Sequence, residues 1–185
     1  ILEYFKKRFY VSDKKALLAL NVSKAEREIL ASNTDNDLSV YIGIPFCPTR
    51  CLYCSFTSYP IDRYAKKADE YIDYLARELD FVKESIKGRN LRSVYIGGGT
   101  PTSLGDEQFK RFMEIVAERF DISGTDEFTV EAGRPDTITE GKLKAMAEAK
   151  VSRISVNPQT MNQKTLNLIG RRHSVEDIRK AFYMA

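Results

Sequence analysis

Cys47, Cys51 and Cys54 are the three cysteines of the chain, and all lie within Tyr41-Ile42-Gly43-Ile44-Pro45-Phe46-Cys47-Pro48-Thr49-Arg50-Cys51-Leu52-Tyr53-Cys54. Intervals of three and then two residues place three thiols on one short loop. Such a loop can wrap a single object but offers it only three anchors. Iron–sulfur clusters are held by cysteine thiolates at spacings of this kind, with four protein ligands the usual complement. Three thiolates therefore suit a cluster whose last iron stays open to a cofactor or substrate. Two other uses compete with that one. A structural zinc site wants a fourth Cys or His nearby, and the sole histidine, His173, lies far along the chain. A disulfide would leave one thiol over and belongs with small secreted chains, whereas the opening residues do not read as a signal peptide. Confinement of every cysteine to one stretch also fits a reducing compartment.

Positioning these groups requires a scaffold, and from Leu38 onward the pattern is strand then helix, repeated. Leu38 to Ile44 is a short β-branched run ending at Pro45, which reads as a buried strand with the cysteine loop at its carboxyl end. Tyr64, Ala68, Tyr71, Leu75, Leu79, Val82 and Ile86 recur every three or four residues, a long amphipathic helix closed by Gly88. Leu91 to Ile96 is the second strand, and Phe109 to Phe120 mark the second helix with Asp106 near its start. Phe128 to Ala132 is the third strand and Thr139 to Lys150 the third helix. Val151 to Val156 is the fourth strand, followed by helices from about Asn162 and from Ser174. Four such units in succession predict an α/β fold with a parallel sheet and helices over its outer face. Ligands of such folds gather at the carboxyl ends of the strands. The cysteine loop, Gly97-Gly98-Gly99-Thr100, Glu131 and Asn157-Pro158-Gln159 all fall there.

Before the polar linker Ser32 to Asp37, the chain reads differently. Residues 1–37 form an N-terminal helical segment, expected to be the end of a truncated preceding region, and 38–185 a separate domain. Ser12 or Asp13 caps a helix through Leu20, and Ser23 with Glu26 has the capping-box pattern of a second helix to about Ala31. Lys6-Lys7-Arg8 amid Tyr4, Phe5, Phe9 and Tyr10 reads as a solvated face. The whole chain has 185 residues, 43% hydrophobic and 30% charged, with a formal charge of +3. That is a globular composition, too mildly basic to imply nucleic acid, and no apolar run reaches the roughly 20 residues of a membrane span. A cytoplasmic protein without nucleic-acid or membrane partners is the expectation.

The glycine run has two readings: a strand-to-loop bend, or a backbone that a ligand approaches without meeting a β-carbon. No Gly-Lys-Ser/Thr follows, so it is not a nucleotide P-loop. Glu131 is likewise either a surface or cap residue or a carboxylate that accepts hydrogen bonds from a ligand's hydroxyl or amine. Arg171 and Arg172 beside His173 would depress its basicity and could meet substrate carboxylates. A surface arginine pair is the plainer alternative, and His173 is not read as a general base.

The Cys-x3-Cys-x2-Cys run, with Tyr53 before its last cysteine, resembles that of the radical S-adenosylmethionine enzymes. More narrowly, Ile44-Pro45-Phe46-Cys47, Gly97 to Thr102 and Gln159 to Arg172 resemble the oxygen-independent coproporphyrinogen III oxidase family. The likeness runs from about Leu38 to the end. It implies a partial (β/α) barrel of radical S-adenosylmethionine type, of which about four units are present, so that the chain is expected to be a fragment of the core. It implies that Cys47, Cys51 and Cys54 hold a [4Fe–4S] cluster, with S-adenosylmethionine on the open iron. Tyr41, Tyr53, Gly98, Gly99, Thr100, Glu131, Gln159 and Arg171 then correspond to cofactor contacts. The implied reaction is oxidative decarboxylation of coproporphyrinogen III propionates to vinyl groups, driven by one electron from a flavodoxin or ferredoxin. Where oxidases of this type carry a fourth cysteine this chain has Phe56, and where they carry a histidine it has Gly43. Phe56 is shared with a haem-chaperone branch. Gly43, Glu131 to Pro135 and Asn157 to Asn162 instead resemble the coproporphyrinogen dehydrogenase branch of anaerobic spore-forming bacteria, which is the reading adopted. The alternative is a haem-binding member without oxidase activity.

Overall fold

The computed structural model describes residues 1–185, which form two compact units, 1–37 and 38–185. In the first, α1 (Leu2–Phe9) ends at Tyr10, whose φ of 53° closes the helix in left-handed geometry. Ser12 caps α2 (Asp13–Leu30) by accepting a hydrogen bond from the Lys15 amide. The break expected before Ser23 is absent, and one helix of 18 residues runs through it. Nothing between Leu20 and Ser23 stops a helix, and Lys24, Ala25, Glu26 and Arg27 all favour one. The local capping pattern is overridden.

The second unit is built on a sheet ordered β1-β4-β5-β6. Its strands are β1 (Asp37–Ile44), β4 (Asn90–Gly98), β5 (Glu127–Glu131) and β6 (Arg153–Ser155), while β2 (Phe46–Cys47) and β3 (Tyr59–Pro60) pair in a second, parallel ribbon. Register runs Ser93↔Glu127 to Ile96↔Val130 and Thr129↔Arg153 to Glu131↔Ser155, both parallel. β1 joins in the same sense, since Ser39 meets Ser93 while Ile44 accepts from the Gly99 amide farther along both strands. Each strand thus adds to the same side of its predecessor. The crossovers between them are α3 (Ile61–Ser85), α4 (Asp106–Arg119) and α5 (Glu140–Glu148), and α3 packs on α4 and α4 on α5. This is the winding of a barrel wall, covered outside by helices. Two further helices, α6 (Gln163–Leu168) and α7 (Val175–Met184), follow β6, capped by Asn162 and by a Ser174–Asp177 capping box.

The core lies between sheet and helices. Val94, Ile96 and Val130 are fully buried against Ile72, Phe109, Phe112 and Val116. The period of the α3 residues decides this: Ala68, Ile72, Leu75 and Leu79 share the buried stripe. The fourth strand is shorter than its apolar run, because the Val151 amide bonds Met146 O at 2.9 Å and so belongs to the exit from α5. No helix is long and apolar enough to cross a membrane.

Candidate functional site

The loops at the carboxyl ends of the strands enclose one cleft of about 180 Å³. All three cysteines line it, all with free thiols; Cys47 is buried and Cys51 and Cys54 are half-buried. Cys47 sits on β2 at the start of the loop, where the Thr100 hydroxyl lies 3.4 Å from its sulfur. Burial pushes the Cys47 thiol up, opposed by the Thr100 hydroxyl and the Arg134 charge. No three acidic, thiol or imidazole groups converge tightly enough to share one ion. Three thiols lining one cleft can each ligate a different iron of a multi-iron cluster.

Glycine is required at the facing loop by close backbone approach. A β-carbon on Gly99 would lie 2.6 Å from Phe46 O and 3.0 Å from Cys47 Sγ. One on Gly98 would lie 2.8 Å from Ile44 O, and its φ of 106° disfavours any other residue. The Gly99 and Thr100 amides each donate at 2.7 Å, to Ile44 O and Phe46 O. The glycine loop and the cysteine loop are thereby one assembled wall. Under it Lys142, on α5, donates to Thr102 O at 2.8 Å and Thr137 O at 2.9 Å, joining the loops after β4 and β5. Its burial lowers the ammonium pKa, only partly offset by Asp106.

Glu131 reaches the cleft from the end of β5, and the Tyr95 hydroxyl donates to its Oε1 at 2.6 Å. That bond, first among the causes, pushes the Tyr95 phenol up to about 12. Tyr41 does not line the cleft. It stacks on Tyr95 with centroids 5.7 Å apart, so it touches the site through that ring and through Gly97, against which both phenols and Glu131 close. On the opposite wall Arg171, 6% exposed, donates to Gly133 O at 2.8 Å and to the Tyr53 hydroxyl at 3.2 Å. Its buried Nε has no partner. Gln159 completes this side with a φ of 60°, an uncommon conformation for a residue with a β-carbon. Ten of the eleven expected site residues thus border one space, with Tyr41 set behind it.

Several residues at the site carry no local sequence signal. Arg134, 2% exposed, donates to Thr49 Oγ1 at 3.0 Å and lies 3.9 Å from Cys51 Sγ. Asp136 pairs with the same guanidinium, and its Oδ1 is 3.3 Å from His173 Nδ1. Burial is the main cause holding the imidazole below its ordinary pKa, Asp136 opposing it and Arg134 and Arg171 adding to it. The expected depression is present, but its arginine partners are 134 and 171, because Arg172 is exposed to solvent. Thr49 in turn donates to Gly170 O at 2.9 Å, and the Leu52 amide to Ile169 O at 3.1 Å. The cysteine loop is therefore pinned from three sides.

A progressively wound parallel sheet with a three-thiol loop and a glycine loop at its carboxyl rim defines an α/β domain whose strand ends line one cleft. Residues 41–185 match the model of the Radical SAM superfamily, and the chain belongs to that superfamily. It is 37% identical, over 97% of its length, to the oxygen-independent coproporphyrinogen-III oxidase-like protein HemZ of Bacillus subtilis. It is 39% identical, over 80%, to the heme chaperone HemW of the same organism. The solved structure of coproporphyrinogen III oxidase (HemN) from Escherichia coli, a radical SAM enzyme, superposes with a TM-score of 0.70 at 28% identity over 88% of this chain. The chain spans 37% of HemZ, 38% of HemW and 37% of the HemN structure. The family implies S-adenosylmethionine and a [4Fe–4S] cluster as cofactors.

Proposed function

We propose that Cys47, Cys51 and Cys54 hold a [4Fe–4S] cluster and that the adjoining cleft holds S-adenosylmethionine against its open iron. The observation that carries this is the contact of the two loops: Gly99 has room for no side chain between Phe46 O and Cys47 Sγ. A ligand on the glycine backbone is then next to a group on Cys47. When bound, cluster and cofactor supply one-electron cleavage of the sulfonium and hydrogen abstraction from substrate; the protein supplies binding, orientation and exclusion of water. Gly98, Gly99 and Thr100 would border the methionyl part, their loop fixed by the Gly99 and Thr100 amides on Ile44 O and Phe46 O. Glu131, fixed by Tyr95, would accept from its amine or from ribose hydroxyls. Arg171 carries the orphaned Nε that a carboxylate or ring nitrogen in the cleft could satisfy. Tyr53 and Gln159 border the same space, and Tyr41 braces Tyr95 from behind.

The reaction best supported is oxidative decarboxylation of coproporphyrinogen III propionates, in a coproporphyrinogen dehydrogenase-like oxidoreductase fed by an external one-electron donor of the flavodoxin or ferredoxin kind, with the electron released on loss of carbon dioxide passing to an external one-electron acceptor. HemZ-like similarity along nearly the whole chain favours it. A second reading, a haem carrier that keeps the cluster site, draws on Phe56, a 68% exposed aromatic ring at the cleft mouth where it could lie against a porphyrin face. Anaerobic reconstitution with iron and sulfide, followed by low-temperature EPR of the reduced protein with and without S-adenosylmethionine, tests the cluster assignment. A [4Fe–4S] signal that changes on adding the cofactor is expected, and one indifferent to it, or absent while Cys47→Ala behaves identically, overturns it. Vinyl product from porphyrinogen then favours the oxidase, and haem absorbance without product the carrier.

A further inference from the structure

Among the buried groups for which the proposed cofactor contacts leave no task, Arg134 stands out. It is one of the most buried side chains in the molecule at 2% exposure, yet its end is a cationic guanidinium. A guanidinium kept in such a place costs free energy unless every donor is used. Its two ends are used differently. Nε and Nη2 face the Asp136 carboxylate at 3.3 Å each, on the side away from the cleft. Nη1 points the other way, to the Thr49 hydroxyl and carbonyl, and its remaining reach ends 3.9 Å from Cys51 Sγ. The Thr49 bonds fix the loop one residue short of Arg50 and two short of Cys51. Neither Cys47 nor Cys54 has a comparable cationic donor; Cys47 has the neutral Thr100 hydroxyl.

We propose that Arg134 is a positioning and potential-setting residue for the metal group on Cys51: its Nη1 end supplies an N–H to that sulfur, and Asp136 limits how much positive charge the sulfur feels. This rests on the reading of Cys51 as a cluster ligand. Hydrogen bonds to cluster sulfurs and nearby charge set the reduction potential of iron–sulfur centres. An electron added to the cluster makes it more negative, so the Arg134 end of the pair favours the reduced state. The Asp136 end opposes it. Arg134 and Asp136 therefore act with opposite sign, although both belong to one hydrogen-bonded staple. A purely structural staple predicts the reverse, with loss of either partner loosening the loop in the same way.

The test is a dithionite titration of the anaerobically reconstituted protein, in which dithionite supplies the electron and EPR reads the reduced fraction in the wild type, Arg134→Gln and Asp136→Asn. Arg134→Gln is expected to weaken the hold on the electron about tenfold, which is 59 mV downward for a one-electron couple. Asp136→Asn, which leaves the guanidinium uncompensated, is expected to move the midpoint upward. Midpoints that shift together, or not at all, in proteins that retain their iron overturn the proposal and leave the cluster assignment intact. A wild type that assembles no cluster overturns that assignment, and this proposal with it. If Arg134→Gln fails to fold, Asp136→Asn decides alone: a raised midpoint supports the proposal, and an unchanged or lowered one refutes it.

Discussion

The layer formed by the sheet with α3, α4 and α5 is held together differently from the loops at its carboxyl rim. In the layer, the fully buried side chains are apolar: Ile72, Val94, Ile96, Phe109, Phe112 and Val116. Most of the buried polar and charged side chains collect at the rim: Thr100, Thr102, Arg134, Arg171 and His173, with Lys142 reaching in from α5. Apolar burial is non-directional and scales with area, so the layer tolerates small adjustments. Buried ionic groups demand particular partners at particular distances. The rim therefore gains less stability than the layer and far more definition, which the proposed cluster and cofactor site needs.

Breaking the layer is expected to give the largest effect. Phe112→Ala removes a ring with no exposure from the α4 face against the sheet, at a cost of about 3–5 kcal/mol for a truncated core phenylalanine. Denaturant unfolding would show it as a lowered midpoint, and cluster content per folded molecule should be unchanged. Gly99→Ala acts on the rim instead. The new β-carbon meets backbone at 2.6 Å, and main chain cannot rotate away as a side-chain tip can. A loss of about 1–3 kcal/mol, the usual toll of overpacking, is expected together with a large fall in iron retained after reconstitution. Equal iron content in the two variants would erase the contrast between the regions.

Lys142→Met sharpens the comparison at a smaller scale. It strips the donor from the buried Thr102 O, where loss of a partner costs about 1–3 kcal/mol, and from the half-buried Thr137 O, where it costs less. Relief from burying an ammonium offsets part of this, so a net loss of about 1 kcal/mol is expected in thermal or chemical unfolding. The deficit should appear with weakened cofactor binding, because these bonds fasten the loop that follows the glycines.

The same division governs what could be read from the residues alone. The layer announces itself through period: α3 shows Ala68, Ile72, Leu75 and Leu79 on one stripe, and its buried residues follow. The cysteines and glycines are legible because their spacing is local, and the fold sets them against one cleft. Arg134, Asp136, His173 and Tyr95 are not legible in that way. Arg134 meets Thr49 across 85 residues, His173 meets Asp136 across 37 and Tyr95 meets Glu131 across 36, and no period spans such gaps. The ribbon of β2 and β3 escapes for another reason, since two residues per strand are too few to show alternation. Ser23 misleads because a capping pattern is only a local preference, and an uninterrupted run of helix formers outweighs it.

The smallest predicted effect is one of pH, and its sign follows from burial. His173 has a side chain with no solvent exposure, an Nε2 without a partner and a pKa held below the ordinary value, chiefly by burial. On acidification the unfolded chain therefore binds a proton at this residue before the folded one does. Wherever the unfolded state binds more protons, stability rises with pH. The contribution of His173 is thus fully present above an ordinary histidine pKa of about 6.5 and is lost progressively as pH falls below it, until the folded imidazole is protonated as well. Asp136, whose carboxylate faces Nδ1, limits the loss by favouring the charged ring. In His173→Gln the slope of unfolding free energy between pH 7 and pH 5 should become shallower, while in Asp136→Asn it should become steeper. Because both residues sit behind the Arg134 side of the cleft, that pair of slopes asks whether the rim responds as one connected network. Parallel slopes in wild type and both variants would mean that His173 is isolated from it.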